Sequence, residues 1–128
     1  MIIDNFKERK RTNYIYIVPM GVSPMSYEEF YNKCWIAGLF GTGYHYFVAD
    51  TGWVSEDREE DAWADNRFEN YDKAIYICVE ADSQKDTSQV QEEAISRLVN
   101  DIMDRHPDES IEVVRPKNWT AISMLPKH

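Results

Sequence analysis

The chain has 128 residues and a mass of 15.1 kDa, with 43% hydrophobic and 29% charged residues. These values fit one compact domain over residues 1–128 and exclude collagen-like, low-complexity and disordered chains. No apolar run approaches the roughly 18 residues that a membrane helix needs, and charge stands where a signal peptide has its apolar stretch. The sequence therefore predicts a cytoplasmic protein that does not enter a membrane.

Charge is distributed unevenly along the chain. Its formal net charge is -9 and its pI is about 4.7, yet residues 1–11 carry a cluster of basic side chains: Lys7, Arg9, Lys10 and Arg11. Residues 12–128 hold 10 basic against 21 acidic groups. We expect a solvated basic N-terminal arm and no direct binding of nucleic acid, because phosphate backbones repel an anionic surface. Such a surface can attract a cationic small molecule, imitate nucleic acid toward a basic host protein, or serve solubility alone.

The cysteines and histidines do not form a recognisable metal or catalytic pattern. Cys34 and Cys78 stand inside apolar runs without paired spacing, which is typical of core thiols in a reducing compartment. His45, His106 and His128 are scattered, and His106 ends a predicted helix, where a cation is favoured. We therefore expect no metal and no cofactor.

The first half of the chain predicts two strands around one helix. Residues 13–20 are β-branched and aromatic and predict a buried strand. Ser26 and Glu29 form a possible capping box for a helix of about 12 residues. Its apolar positions follow helical spacing and predict a core-facing stripe: Tyr27, Phe30, Tyr31, Cys34 and Trp35. A glycine-rich link over residues 38–43 lacks the residues of a phosphate loop and leads into a second strand over residues 44–49.

The second half begins with an acidic, aromatic segment. Residues 53–72 are expected to form a loop or a short helix, and residues 55–72 hold eight carboxylates and two arginines. A third strand over residues 73–81 precedes the clearest amphipathic helix, which starts near Val90 after the cap candidates Asp86, Thr87 and Ser88 and ends before Pro107. Residues 110–115 predict a fourth strand, and residues 118–124 could add an edge strand.

This order of elements favours a ferredoxin-like α+β sandwich. In that fold, right-handed crossovers place both helices on one face of a four-stranded antiparallel sheet. The open face would then carry Tyr14, Tyr16, Tyr44, Tyr46 and Tyr76. Because large apolar faces are rarely left bare, we expect cover from residues 53–72, the C-terminal strand or a second subunit, and hence a homo-oligomer.

Aromatic and acidic side chains are interleaved between residues 44 and 71. Aromatic faces attract a desolvated cation, and a nearby carboxylate adds Coulomb attraction. The candidate binding residues in this mixture are Tyr44, Tyr46, Trp53, Glu56 and Tyr71. The alternative is an ordinary acidic loop whose aromatic side chains anchor it to the core.

Several short motifs resemble the bacteriophage S-adenosylmethionine lyases, formerly described as hydrolases. They are Met25 and Ser26 before the first helix, Gly-Leu-Phe-Gly over residues 38–41 with Thr42 after it, and Asp-Thr-Gly over residues 50–52. The chain has Trp53 and Val54 where that family places a tyrosine.

The resemblance implies a trimer of ferredoxin-like subunits that binds an adenosyl substrate between subunits. It implies cleavage of S-adenosylmethionine to methylthioadenosine and homoserine lactone as a counter-defence against host restriction, with Glu69 as the catalytic glutamate. Two other hypotheses stay open. One is a non-catalytic acidic inhibitor that blocks a basic host protein, and the other is a module that sequesters a small nucleotide.

Overall fold

The computed structural model describes residues 7–21, 25–36 and 41–117. Five strands and two α-helices follow one another in this part of the chain. They are β1 (Tyr14–Pro19), α1 (Tyr27–Ile36), β2 (Tyr46–Val48), β3 (Val54–Glu56), β4 (Ala74–Val79), α2 (Gln89–Arg105) and β5 (Glu112–Val114). A 3₁₀ turn, Gln84–Asp86, stands between β4 and α2.

The strands form one mixed sheet in the order β3-β2-β4-β1-β5. β4 pairs in parallel with both β1 and β2, and β1 pairs in parallel with β5. β3 runs antiparallel to β2. The four parallel strands therefore all start at one end of the sheet, which we call the amino end. They all finish at the opposite end, the carboxyl end.

The centre of the sheet explains the two longest apolar runs of the sequence. All six residues of β4 are buried, and so are the last five residues of β1. A strand that is covered on both faces has a continuous apolar sequence, because the side chains on both of its faces are shielded from water.

Each helix covers a different face of the sheet. On one face, Tyr16 and Cys78 pack with Phe30 and Cys34 of α1. On the other face, Ile15 and Ile77 pack with α2, which contributes Ala94, Ile95, Leu98 and Ile102. The molecule is thus built as three layers, helix, sheet and helix.

The predicted ferredoxin-like sandwich is wrong in its sheet and in the placement of its helices. The prediction joined residues 44–49 and 73–81 as successive antiparallel strands. Instead, the turn after β2 folds β3 back along it, and residues 57–73 then return the chain across the sheet. Because a crossover of this length allows parallel pairing, β4 enters beside β2 in the same direction.

The predicted helix boundaries hold better than the predicted helix faces. Ser26 accepts the Glu29 backbone N–H at 3.2 Å, and Ser88 and Gln91 form a complete capping box at α2. In α1 the buried side chains are Phe30 and Cys34, whereas Trp35 is 45% exposed. The predicted core stripe is therefore too wide.

Within the predicted solvated arm, residues 1–11, residues 7–9 contact the loop between β3 and β4. Glu8 bridges Ala62, and the Arg9 guanidinium donates to the Ala62 carbonyl at 3.1 Å and to Thr12 Oγ1 at 2.9 Å. Burial lowers the pKa of Arg9, although nearby carboxylates oppose that effect. The basic segment is consequently part of the folded surface from residue 7 onward.

The aromatic face of the sheet is covered within the chain. Tyr16 and Tyr76 stack with ring centroids 4.7 Å apart, and Phe68 from the acidic segment packs on Tyr44 at 4.7 Å. A second subunit is thus not needed to cover it, and homo-oligomerisation stays a prediction. The predicted edge strand at residues 118–124 lies outside the described residues. Among the described helices, neither is long and apolar enough to cross a membrane.

Candidate functional site

The carboxyl end of the sheet is closed by two glutamine side chains. Open parallel sheets usually bind ligands beyond this end. Here Gln91, almost fully buried, donates to the carbonyls of Ala49 at 3.2 Å and Glu80 at 3.0 Å. Gln84 donates to the Ile17 carbonyl at 2.8 Å. These neutral amides satisfy the carbonyls directly after β2 and β4 and one carbonyl near the end of β1.

Two further residues at the carboxyl end, Glu80 and Met20, are held within the structure. Glu80 accepts the Asp50 backbone N–H at 3.2 Å, and partial burial raises the pKa of Glu80. Met20, which directly follows β1, is fully buried. In the described residues, no histidine lies at this end.

An open groove of about 720 Å³ lies at the amino end of the sheet, between the start of β2 and the end of α2. Its lining consists of Tyr46, Glu56, Glu60, Asp61, Leu98, Asp101, Arg105 and His106. Leu98, Asp101 and Arg105 come from one face of α2, since they follow helical spacing. Four carboxylates against one guanidinium and one imidazole make this groove predominantly anionic.

Glu60 is the central acceptor of this groove. Its Oε1 accepts from Tyr46 Oη at 2.6 Å and from Arg105 Nη2 at 2.5 Å, and its Oε2 lies 2.8 Å from His106 Nε2. Burial alone would raise the pKa of Glu60, but the hydrogen bonds from Arg105, Tyr46 and His106 outweigh it and lower the pKa to about 2. Glu60 is therefore a carboxylate at any physiological pH.

His106 joins three segments of the chain. It is the C-cap residue of α2, and its Nδ1 lies 3.3 Å from Glu109 Oε2. Glu109 in turn accepts the Thr12 backbone N–H at 2.7 Å. The loop at Glu60, the end of α2 and the N-terminal segment thus meet at one point.

His45, directly before β2, is enclosed in the interior. Its Nδ1 accepts the Tyr76 backbone N–H at 3.0 Å, so the ring proton lies on Nε2, which donates to the Ala62 carbonyl at 2.7 Å. Burial lowers the pKa of His45 to about 3. Both ring nitrogens are occupied, and the ring stays neutral.

A family model described as N-acetylmuramoyl-L-alanine amidase matches residues 8–121. The chain belongs to this amidase family. The comparison with curated proteins gave no match.

Solved structures agree with this assignment at the level of the fold. The amidase LysC from Clostridium intestinale has a TM-score of 0.72 and 18% identity, with 94% of this chain and 83% of that chain covered. Drosophila peptidoglycan recognition protein SD has a TM-score of 0.72 and 13% identity, with 86% and 72% covered. The Ph2119 endolysin of a Thermus scotoductus bacteriophage has a TM-score of 0.67 and 19% identity, with 86% and 75% covered.

These findings correct the resemblance to S-adenosylmethionine lyases. The motifs at residues 25–26, 38–42 and 50–52 are too short to decide a family, and the match over residues 8–121 overturns the lyase assignment. The predicted lyase activity and the alternatives of an anti-restriction inhibitor or a nucleotide-sequestering module are wrong with it.

The described end of the glycine-rich link, residues 41–43, belongs to the internal structure of this amidase fold. Gly41 has a φ of 94°, and the following Thr42 backbone N–H and hydroxyl donate to Asp57 Oδ2 at 2.6 and 2.7 Å. A Cβ at Gly41 would stand 2.9 Å from Asp57 Oδ1. The anion at this turn is the chain's own carboxylate.

Amide hydrolysis requires an activated nucleophile, either a protein side chain or water on a metal ion. Cys34 and Cys78 are buried, and burial raises the pKa of Cys34 to about 12 and raises that of Cys78 as well. Thiols of this kind are inert because the thiolate is the reactive form. In the described residues, neither histidine is hydrogen-bonded to a serine or threonine.

The described residues contain one group of three side chains with closely placed metal-ligand atoms: Glu60, Asp61 and His106. It lies in the groove at the amino end. The carboxyl end, where β1 and β5 finish, has Pro19, Met20 and Pro116 instead.

The structure brings together two of the six predicted site residues. Tyr46 and Glu56 are register partners in β2 and β3 and both line the groove. Tyr44 is buried on the opposite face, and Tyr71 packs edge-on against Trp63 at 5.2 Å.

The other two predicted residues lie apart from the groove. Trp53 is 72% exposed in the turn between β2 and β3. Glu69 is exposed, and its backbone carbonyl accepts the Tyr76 hydroxyl. A catalytic role of Glu69 and substrate binding by the other five stay untested predictions.

Sequence reasoning missed the contribution of α2 to the groove. Arg105 and His106 lie 45 and 46 positions from Glu60. The helical spacing of Leu98, Asp101 and Arg105 marks a common face, but nothing local shows which loop that face meets.

Proposed function

We propose that this chain binds peptidoglycan, or a fragment that carries its sugar–peptide amide, without cleaving that amide. Membership of the N-acetylmuramoyl-L-alanine amidase family supports the ligand class. The match to Drosophila peptidoglycan recognition protein SD, whose name describes recognition, is consistent with binding as the activity.

The observation that carries this proposal is the enclosure of His45. The chain has three histidines and two cysteines, and of these His45 uses both ring nitrogens on backbone groups while both cysteines are buried. His106 already faces two carboxylates, Glu60 and Glu109. Among histidine, cysteine and acidic residues, the sequence outside the described ranges adds only Asp4 and His128. Among the described residues, neither histidine lies where the parallel strands finish, and Cys78 near that end is buried. These residues supply a poor basis for a hydrolytic centre at the carboxyl end.

The test is co-sedimentation of the full chain with purified peptidoglycan sacculi, combined with chromatography of the soluble products. We expect the protein to pellet with sacculi and no new N-terminal alanine to appear, with or without added Zn²⁺. Chitin, which offers N-acetylated sugar without peptide, is the matched control surface and should retain less protein.

Two results would contradict the proposal. Release of peptides with a new N-terminal alanine would show that the chain is a working amidase. Equal recovery in the supernatant with sacculi and without them would show that it does not recognise peptidoglycan.

A further inference from the structure

Three side chains with different metal-ligand atoms meet at the edge of the groove. Glu60 and Asp61 come from the loop between β3 and β4, and His106 comes from the end of α2. One ligand atom of each residue lies within 4.8 Å of the others. We propose that Glu60, Asp61 and His106 bind one divalent transition-metal ion, a property independent of the proposed peptidoglycan binding.

The donor set selects among divalent cations. One imidazole nitrogen with two carboxylates suits Zn²⁺, whereas Ca²⁺ and Mg²⁺ prefer sites made of oxygen alone. Asp61 is exposed and the groove is open to solvent, so water can complete the coordination that three protein ligands leave unfilled.

The histidine is already oriented for this role. His106 Nε2 points to Glu60 Oε2 at 2.8 Å, and Nδ1 faces Glu109 Oε2 at 3.3 Å. Metal-binding histidines usually donate their other ring N–H to a carboxylate, which fixes the ring and its tautomer. Glu109 is itself held by the Thr12 backbone N–H at 2.7 Å, so its position does not depend on the metal.

Arg105 limits the affinity of the site without blocking it. Its Nη2 lies 2.5 Å from Glu60 Oε1, and its Nε donates more weakly, at 3.2 Å, to Oε2, the oxygen that also faces His106. A cation at Oε2 would therefore share one carboxylate with the guanidinium and would be repelled by it. Removal of this charge in Arg105→Gln should tighten metal binding.

The site would join parts of the chain that are distant in sequence. His106 and Asp61 also line a second groove with the N-terminal segment, including Arg9 and Thr12. A metal ion that binds the folded state alone would stabilise the contact among this loop, α2 and residues 8–12.

The experiment is isothermal titration of the metal-stripped full chain with ZnCl₂, and separately with CaCl₂ and MgCl₂. We expect one Zn²⁺ per chain, bound at least about tenfold more tightly than Ca²⁺, and a rise of the unfolding temperature with Zn²⁺. Absence of saturable 1:1 binding, or equal affinity for Ca²⁺, would overturn the proposal.

Variants locate the ion. Asp61→Asn, at an exposed position, and His106→Asn should each weaken Zn²⁺ binding at least about tenfold, and Glu109→Gln should weaken it about tenfold through the ring orientation. Asp101→Asn, in the same groove but outside the ligand group, and His128→Asn are the controls and should retain binding.

The controls also distinguish a defined metal site from non-specific attraction of cations by the anionic groove. If Asp101→Asn weakens binding as much as Asp61→Asn, the anionic groove attracts cations without a defined site and the proposal fails. Retention of full affinity in His106→Asn, with an unchanged circular dichroism spectrum, would overturn it equally.

Discussion

The two ends of the sheet are stabilised by different kinds of polar group. At the carboxyl end, the neutral amides of Gln84 and Gln91 close the strand ends from within. At the amino end, the ionised carboxylate of Glu60 contacts Arg105 and His106 in a groove that is open to water. Family membership therefore does not by itself show which end of the sheet carries polar chemistry, because sites are set by side chains and not by the fold.

This difference in polar groups predicts how substitutions at the two ends of the sheet affect stability and how that effect depends on salt. A buried neutral group that loses its partner carries the full desolvation penalty, about 1 to 3 kcal/mol, and salt screens it little. A partly exposed ion pair contributes less and depends on ionic strength. Buried contacts should thus dominate stability, and charged contacts should dominate the salt response.

His45→Leu should have the largest effect. The change leaves the buried Tyr76 N–H without its partner, at about 1 to 3 kcal/mol, and it removes one of two donors to the Ala62 carbonyl, at about 1 kcal/mol, because Arg9 still donates to that carbonyl. We expect a loss of roughly 2 to 4 kcal/mol in the free energy of unfolding, measured by urea denaturation at pH 7. His45→Asn, which can keep one hydrogen bond, should lose less. A loss below about 0.5 kcal/mol in His45→Leu would show that these contacts do not hold the loop to the sheet.

His45 also predicts acid sensitivity. Its folded-state pKa of about 3 lies below the usual value of 6.5, so below pH 6.5 the unfolded chain binds a proton that the folded chain does not. The contribution of the neutral ring is therefore complete above pH 6.5 and is lost as the pH falls toward 3, by up to about 1.4 kcal/mol per pH unit. Urea denaturation of the wild-type chain and His45→Leu between pH 7 and 4 tests this. The same slope in both proteins would rule out His45 as the source.

The sequence predicts those parts of the fold in which a long buried element has a recognisable hydrophobic pattern. β1, β4 and α2 were recognisable because fully covered strands are continuously apolar and α2 is capped and amphipathic. β3 could not be found because its three residues, Val54–Glu56, are too short for an alternating pattern. Without β3, the direction of β4 was assigned wrongly, since direction depends on the return path over residues 57–73.

The groove could be predicted only in part for a similar reason. Tyr46, Glu56 and Glu60 belong to the stretch between residues 44 and 71 in which aromatic and acidic side chains are interleaved. Their partners Arg105 and His106 approach them through the packing of α2 on the sheet, which no local pattern encodes.

Gln91→Leu tests the closed carboxyl end and should have the second largest mutational effect. At a nearly fully buried position, it removes the hydrogen bonds to the Ala49 and Glu80 carbonyls and the one that Gln91 Oε1 accepts from the Ser88 backbone N–H in the capping box. We expect a loss of about 2 kcal/mol that is the same in low and high salt. Chemical denaturation at two NaCl concentrations measures both. A loss that shrinks with salt would contradict the distinction between the two ends.

Glu60→Gln tests the open amino end and should have the smallest effect of the three substitutions. The amide keeps an acceptor for Tyr46 and Arg105 but loses the charge that holds Arg105 and His106, so we expect about 1 to 2 kcal/mol at low ionic strength. This loss should diminish in 1 M NaCl, where the screening length falls to about 3 Å. The matched control is Glu92→Gln, which removes an arginine–glutamate pair away from the groove, Glu92 with Arg115. Both of these side chains are more than a third exposed. Because such a pair contributes below about 1 kcal/mol, a larger loss in Glu92→Gln than in Glu60→Gln would show that the central position of Glu60 adds nothing to its charge.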